Sequence, residues 1–185
     1  MDVCCGTGTI GLILSHAVKH VYGIEIVESA VKDAIKNAER NGITNVTFLA
    51  GNAKHMTTKA VKRIPQNGRI VAIVDPPRSG LHSEVIACLR KTEMISELVY
   101  VSCDVNQVKD NIVAICGPTS NKFMGDPFKF VKAVSVDMFP HTRKFEVVMH
   151  FRRDPVSPST AIPPSAETAP STETLTNAGT SEETL

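Results

Sequence analysis

Tryptophan is absent, tyrosine occurs twice, and aromatics make up only 5% of the 185 residues. Any core built from this chain is therefore aliphatic, resting on Val, Ile, Leu and Ala. No apolar run approaches the roughly 20 residues a membrane-spanning helix needs, so no membrane partner is expected. The five cysteines, Cys4, Cys5, Cys88, Cys103 and Cys116, are odd in number and nowhere spaced C-x-x-C. That pattern argues against both a disulfide framework and a structural zinc site. It predicts free thiols in a reducing compartment and no bound metal.

Basic residues are missing from one end. From Asp154 onward there are five acids and no Lys or Arg, so residues 1–153 hold all 20 basic residues against 14 acids. The overall formal charge of +1 thus hides a basic body, which suits a phosphate-bearing partner, although an ordinary solvated surface accounts for it equally well. The last 32 residues are rich in Pro, Ser, Thr, Ala and Glu and poor in large apolar side chains. They cannot bury enough surface to offset the entropy of ordering, which predicts a domain over 1–153 and a disordered tail over 154–185.

Residues 1–153 alternate strand-like and helix-like segments. Val21–Ile26, Val46–Ala50, Ile70–Val74 and Leu98–Ser102 read as strands, with Ala133–Met138 and Phe145–Phe151 as two later ones. Between them, Val27, Ala30, Val31, Ala34, Ile35 and Ala38 fall on one helical face stopped by Asn41-Gly42, and Lys54–Arg63, Ser83–Lys91 and Val105–Cys116 also read as helices. Such alternation means an α/β, Rossmann-like, doubly wound sheet, mostly parallel, with an antiparallel strand near its C-terminal end. Because Met1-Asp2-Val3 runs directly into a glycine-rich loop, the first strand is expected to be truncated.

That loop, Gly6-Thr7-Gly8-Thr9-Ile10-Gly11, fits G-x-G-x-x-G. Its glycines permit a tight strand-to-helix turn and close approach of a ligand to the backbone. Glu25 ends the next strand, where a carboxylate can accept both hydroxyl hydrogens of a ribose. Loop and acid together point to a nucleoside-containing cofactor. They do not choose between NAD and S-adenosylmethionine, and a glycine turn used only for packing is the plainer alternative.

Three later strand ends carry polar residues that packing does not require. Asp75-Pro76-Pro77-Arg78 makes a rigid shelf, since two prolines fix the backbone and remove two donors. In Tyr100-Val101-Ser102-Cys103-Asp104, the cysteine falls where a strand ends and a helix is expected to begin, a place that favours thiolate; a small buried thiol is the plain alternative. Finally, Asp137-Met138-Phe139-Pro140-His141-Thr142 leads to Glu146, set in the apolar stretch Phe145–Met149. A carboxylate among such neighbours has a raised pKa, as a general base needs, unless it faces solvent on an alternating strand.

Taken in order, Asp2–Leu12, Val74–His82, Tyr100–Cys103 and Val136–Glu146 resemble the RNA 5-methyluridine methyltransferase family, over about residues 1–152. The resemblance implies S-adenosyl-L-methionine as cofactor, RNA (tRNA in the first instance) as partner, and the cytoplasm, with the nucleus as a second compartment. It implies that Cys4, Gly6, Gly8 and Thr9 line the cofactor site, that Glu25 holds its ribose, that Asn52 lies near the adenine edge, and that Asp75 closes the site between cofactor and base. Cys103 matches the family nucleophile and Glu146 its base. Two positions depart from the pattern: Asp104-Val105 replaces the usual Asn-Pro after the cysteine, which puts a negative charge beside the thiol, and Lys144 stands where a His is common. Family members also carry an N-terminal RNA-binding domain and an upstream aromatic-Gln segment, with no counterpart in these residues. Two other readings stay open: a non-catalytic fragment that binds RNA or a protein partner, and an NAD-dependent dehydrogenase.

Overall fold

The computed structural model describes residues 1–65, 68–106 and 108–154. Of the tail expected over 154–185, only Asp154 is among them; the rest lies outside the described residues. Asp154 itself is tied back to the sheet by an ion pair with Lys129 at 2.8 Å.

Seven strands form one sheet: β1 (Asp2–Val3), β2 (Val21–Glu25), β3 (Val46–Ala50), β4 (Ile70–Val74), β5 (Ile95–Ser102), β6 (Lys129–Val136) and β7 (Glu146–Arg152), in the order β3-β2-β1-β4-β5-β7-β6. Strands β1 to β5 pair in parallel, and β7 runs antiparallel to both its neighbours. The expected α/β doubly wound sheet with one reversed strand is therefore present. Its helices are α1 (Thr9–Leu14), α2 (Glu28–Arg40), α3 (Ala53–Val61), α4 (Ser83–Lys91) and α5 (Lys109–Cys116). Strand order reverses between β1 and β4, which is where doubly wound sheets open a crevice at the strands' carboxyl ends.

The core is aliphatic, as the scarcity of rings requires. Val3, Ile24, Ala72, Val74, Ile86, Leu89, Ile95 and Leu98 are at most 3% exposed, joined by Tyr100, Phe128 and Phe151. Each Val, Ile or Leu side chain among these withdrawn from water stabilises the fold by about 1.5–3 kcal/mol. A less expected component is a pair of buried arginines. The Arg153 guanidinium donates to the carbonyls of Ile95, Arg90 and Thr92 and stacks on Phe128, while Arg90 donates to those of Ala114, Gly117 and Gly125. The planar, five-donor guanidinium suits this role, because it satisfies several turn carbonyls at once.

Two helix expectations are corrected. The helix expected over Val105–Cys116 begins only at Lys109. The Ser102 hydroxyl accepts the Asp104 amide at 3.1 Å and the Asp104 carboxylate accepts the Asn106 amide at 3.0 Å. These local bonds hold the backbone in a turn that competes with helix. Cys103 is thus not at a helix N-terminus, and the expected help from a helix dipole does not reach it. On α2, Val31, Ala34 and Ala38 are buried as expected, but Ile35 is 43% exposed because the contacting stripe is narrower than the apolar one, and Val27, 51% exposed, caps the helix in an extended conformation rather than joining its face.

Candidate active site

The glycine-rich loop is held by two carboxylates, one on each side. Asp2, 2% exposed on β1, accepts the Gly11 amide at 2.9 Å and so fixes the first turn of α1. Glu25, at the end of β2, accepts the Gly6 amide at 3.0 Å and the Val27 amide at 2.9 Å. Gly6 and Gly8 have φ of +52° and +82°, the region that favours glycine. At Gly8 a side chain is doubly excluded, since a Cβ there would lie 2.8 Å from the Phe48 ring, which also fills the place a side chain on Gly23 would need. Around Gly6, by contrast, nothing lies within 4 Å of a built Cβ, so the loop backbone opens onto free space. Cys4 also adopts a left-handed φ of +64°, uncommon for a non-glycine residue and typical of a constrained site.

The other expected residues gather at the same edge. Asn52 caps α3, its side-chain oxygen accepting the Lys54 amide at 2.9 Å, which leaves its amino group for a ligand. Thr9 opens α1 and is exposed. Asp75 follows β4 and donates its amide to the Val3 carbonyl at 3.2 Å, extending the central ladder by one bond. Beyond it, the end of the segment that follows the Pro-Pro shelf is clamped at Leu81 by a residue the sequence reading did not identify. The Asn111 side-chain oxygen accepts the Leu81 amide at 2.6 Å and the Tyr100 hydroxyl at 2.8 Å, and its amino group donates to the Leu81 carbonyl at 3.1 Å. Gly80 must be glycine here: its φ is +75°, and a Cβ would sit 2.6 Å from that same Asn111 oxygen.

Cys103, just past the end of β5, and Glu146, at the start of β7, are far apart in sequence but sit at the ends of adjacent strands. The β5–β7 ladder pairs Tyr100 with Met149, Val101 with Val148 and Ser102 with Val147. Pairing ends there: Cys103 follows directly after β5, and Glu146, the first residue of β7, directly precedes Val147 at the same edge of the sheet. Because β7 is reversed, its first residue lies at the carboxyl ends of β4 and β5. Both side chains are partly buried.

Electrostatics tie the group together. Burial, then the charge of Asp75, raises the Glu146 carboxyl above its ordinary value, and Asp75 is itself raised by burial. The Cys4 thiol is pushed up to about 11, first by burial and then by Glu25, Asp75 and Asp2; Cys5 is pushed up to about 12 by burial and the nearby carboxylates. The loop thiols therefore stay protonated at neutral pH and act as neutral contacts. The Asp104 carboxylate, which the sequence places beside Cys103, is engaged with the Asn106 amide. A hollow of about 700 Å³ lies between the starts of β2 and β4, lined by Val21, Tyr22, Ile70 and Val71 and reaching Asp2 and Gly11.

Comparison with known proteins points the same way. The family described as "Methyltransferase domain" matches residues 1–110. The chain is 48% identical over 153 residues to the tRNA (uracil-5-)-methyltransferase homolog A of Mus musculus, covering 83% of this chain and 25% of that protein. It is 42% identical over 156 residues to the homolog B of Homo sapiens, covering 83% and 31%. It thus spans about a quarter to a third of the length of these relatives. Among solved structures, the Pyrococcus abyssi tRNA (uracil-54, C5)-methyltransferase in complex with S-adenosyl-L-homocysteine superposes with a TM-score of 0.63 at 27% identity, over 81% of this chain and 32% of that one. With the sheet order, the glycine loop and these matches in hand, the chain belongs to the methyltransferase-domain family and is similar, within it, to the tRNA (uracil-5-)-methyltransferases.

Proposed function

We propose that this chain is the catalytic part of an S-adenosylmethionine-dependent tRNA uracil-C5 methyltransferase, with Cys103 as nucleophile and Glu146 as base. The observation that supports the reading is the β5–β7 register: Ser102, the last residue of β5, pairs with Val147, so Cys103 just after β5 and Glu146 at the start of β7 both fall at this edge of the sheet. The relatives' printed activities and the solved relative's bound S-adenosyl-L-homocysteine support the same reaction and cofactor.

The residues around the loop fit the methyl donor. Open backbone at Gly6 receives its chain, the second lone pairs of the Glu25 carboxylate remain for ribose hydroxyls, and the Asn52 amino group faces solvent for an adenine acceptor. When bound, the donor supplies an electrophilic methyl group. The protein's own task is to make uracil C5 nucleophilic. Cys103, as thiolate, adds to C6, forming a C–S bond and moving the ring electron pair to C5. C5 would then take the methyl group that the bound donor supplies, the donor leaving as the thioether S-adenosyl-L-homocysteine. Glu146 removes the C5 proton, and the returning electron pair expels the Cys103 thiolate from C6. A raised Glu146 carboxyl is suited to this step, because its conjugate acid holds the proton more firmly than an ordinary carboxyl would. The ring must be reached at C5 and C6 by groups from two strands, which requires the base to leave its stack.

Labelled methyl transfer to tRNA by the chain tests the proposal. Cys103→Ala should abolish transfer. Glu146→Gln should let methylation proceed but leave the methylated RNA attached to the protein. Transfer by the Cys103→Ala protein would refute the assigned chemistry.

A further inference from the structure

We infer that the hairpin joining β6 to β7 is an RNA-gripping surface that holds the nucleotides flanking the target uridine, with Lys132, Arg143 and Lys144 on phosphates and Phe139 and Phe145 against bases. This rests on the reading of RNA as substrate. The loop between the strands, residues 137–145, leads directly into Glu146. Its backbone is held by its own bonds: the Thr142 amide and hydroxyl donate to the Phe139 carbonyl at 3.1 and 2.8 Å, and the Lys144 amide donates to the Thr142 hydroxyl at 3.1 Å. A loop fixed this way does not need its large side chains for folding, yet it displays several. Met138, Phe139 and Phe145 are 62%, 40% and 48% exposed, and β6 behind them is exposed at every position.

The charges are equally uncommitted. Among the described residues, Lys132, Arg143 and Lys144 form no ion pair within 4 Å. The one acid of the loop, Asp137, spends an oxygen on the Phe139 amide at 3.2 Å. Arg143, Lys144 and Phe145 line a hollow of about 350 Å³ with Ser135, Asp137 and Thr142. Basic side chains interleaved with exposed rings are what a single strand of nucleic acid requires: cations track the phosphates, and any base stacks on a ring. An acidic protein partner would use the charges but not the rings, and an edge strand seeking a second copy of itself would be blunted by Lys129 and Lys132.

The probe is a fluorescein-labelled, adenosine-rich single-stranded RNA with one central uridine, titrated with the full chain by fluorescence anisotropy from about 50 to about 200 mM salt. Arg143→Gln with Lys144→Gln should weaken binding and lower the slope of log affinity on log salt by about 1.4, since each phosphate contact to a single strand contributes about 0.7. Phe145→Leu should weaken binding between about fivefold and about a hundredfold with the slope unchanged. Because these side chains are exposed, circular dichroism and Tm should match the parent. If the parent fails to bind RNA at the lowest salt, the substrate reading falls and this inference with it. If the parent binds and the variants bind equally, the hairpin assignment alone is overturned. It is also overturned if sedimentation shows that the variants lose a dimer rather than an RNA contact.

Discussion

Asn111→Ala should destabilise the protein far more than its half-exposed position in a short helix suggests. The side chain makes three bonds, to the Leu81 amide, the Leu81 carbonyl and the hydroxyl of Tyr100, and Tyr100 is fully buried. A net 0.5–1.5 kcal/mol per bond gives about 1.5–4.5 kcal/mol. The middle of that range applies, because Tyr100 and Leu81 are both buried and water replaces the lost partner poorly at either. About 3 kcal/mol is therefore expected. Urea denaturation reads it as a lower midpoint at unchanged m-value. Two controls locate the effect. Combining Asn111→Ala with Tyr100→Phe should recover about 1 kcal/mol of the sum of the single changes, because the orphaned hydroxyl is then gone. Asn111→Asp keeps both acceptor bonds but cannot donate to the Leu81 carbonyl, so it should fall between parent and alanine. Since Leu81 anchors the segment that begins at Asp75, the alanine protein should also bind the methyl donor more weakly. A loss below about 0.5 kcal/mol would refute the view that this amide clamps that segment.

Two further outcomes follow from the titrating groups. Burial raises the Glu97 carboxyl, but hydrogen bonds from His150 and Arg152 outweigh it and the net shift is downward, with Arg69 adding a contact at 2.8 Å. A depressed folded-state value contributes stability above the ordinary glutamate range and loses it as pH falls through the folded value. Tm should therefore fall on acidification below about pH 4.3, and Glu97→Gln should lower Tm at neutral pH while flattening that acid dependence. At the active edge, the Asp75 charge adds to burial in raising Glu146. Asp75→Asn should then move the acid limb of the methyl-transfer pH profile downward, whatever it does to the maximum rate; an unmoved limb would show that the two carboxyls do not sense each other.

Much of this was legible because it is local. Val46–Ala50, Ile70–Val74 and Ser83–Lys91 have the boundaries their patterns predict, since each is an apolar run or a helical stripe closed by clear stop residues. Strand β5 starts earlier than expected, at Ile95, because Glu97 breaks the apolar pattern; it is buried only with Arg69, His150 and Arg152, its partners up to 55 residues away. Likewise β6 begins at Lys129 rather than Ala133, since pairing with β7 organises residues that are exposed and carry no strand periodicity. At the site, the glycine loop and the strand-end residues were readable from type and position. The braces were not. Asp2 carried one usable signal, an acid inside a strand with buried neighbours, but Asn111 gives none until the chain folds it onto Leu81 and Tyr100. Glu25, expected to hold a ribose, is seen in the structure bracing the Gly6 and Val27 amides.

The most direct test of the Cys103–Glu146 pairing is to incubate the chain and the methyl donor with tRNA carrying 5-fluorouridine, then map the adduct by mass spectrometry. Fluorine at C5 leaves no proton for Glu146 to remove, so the sulfur–carbon bond should persist. One protein–RNA species, heavier by a methyl group and attached at Cys103, is the predicted result. An adduct on any other cysteine, or methylated RNA released with no adduct at all, would contradict it.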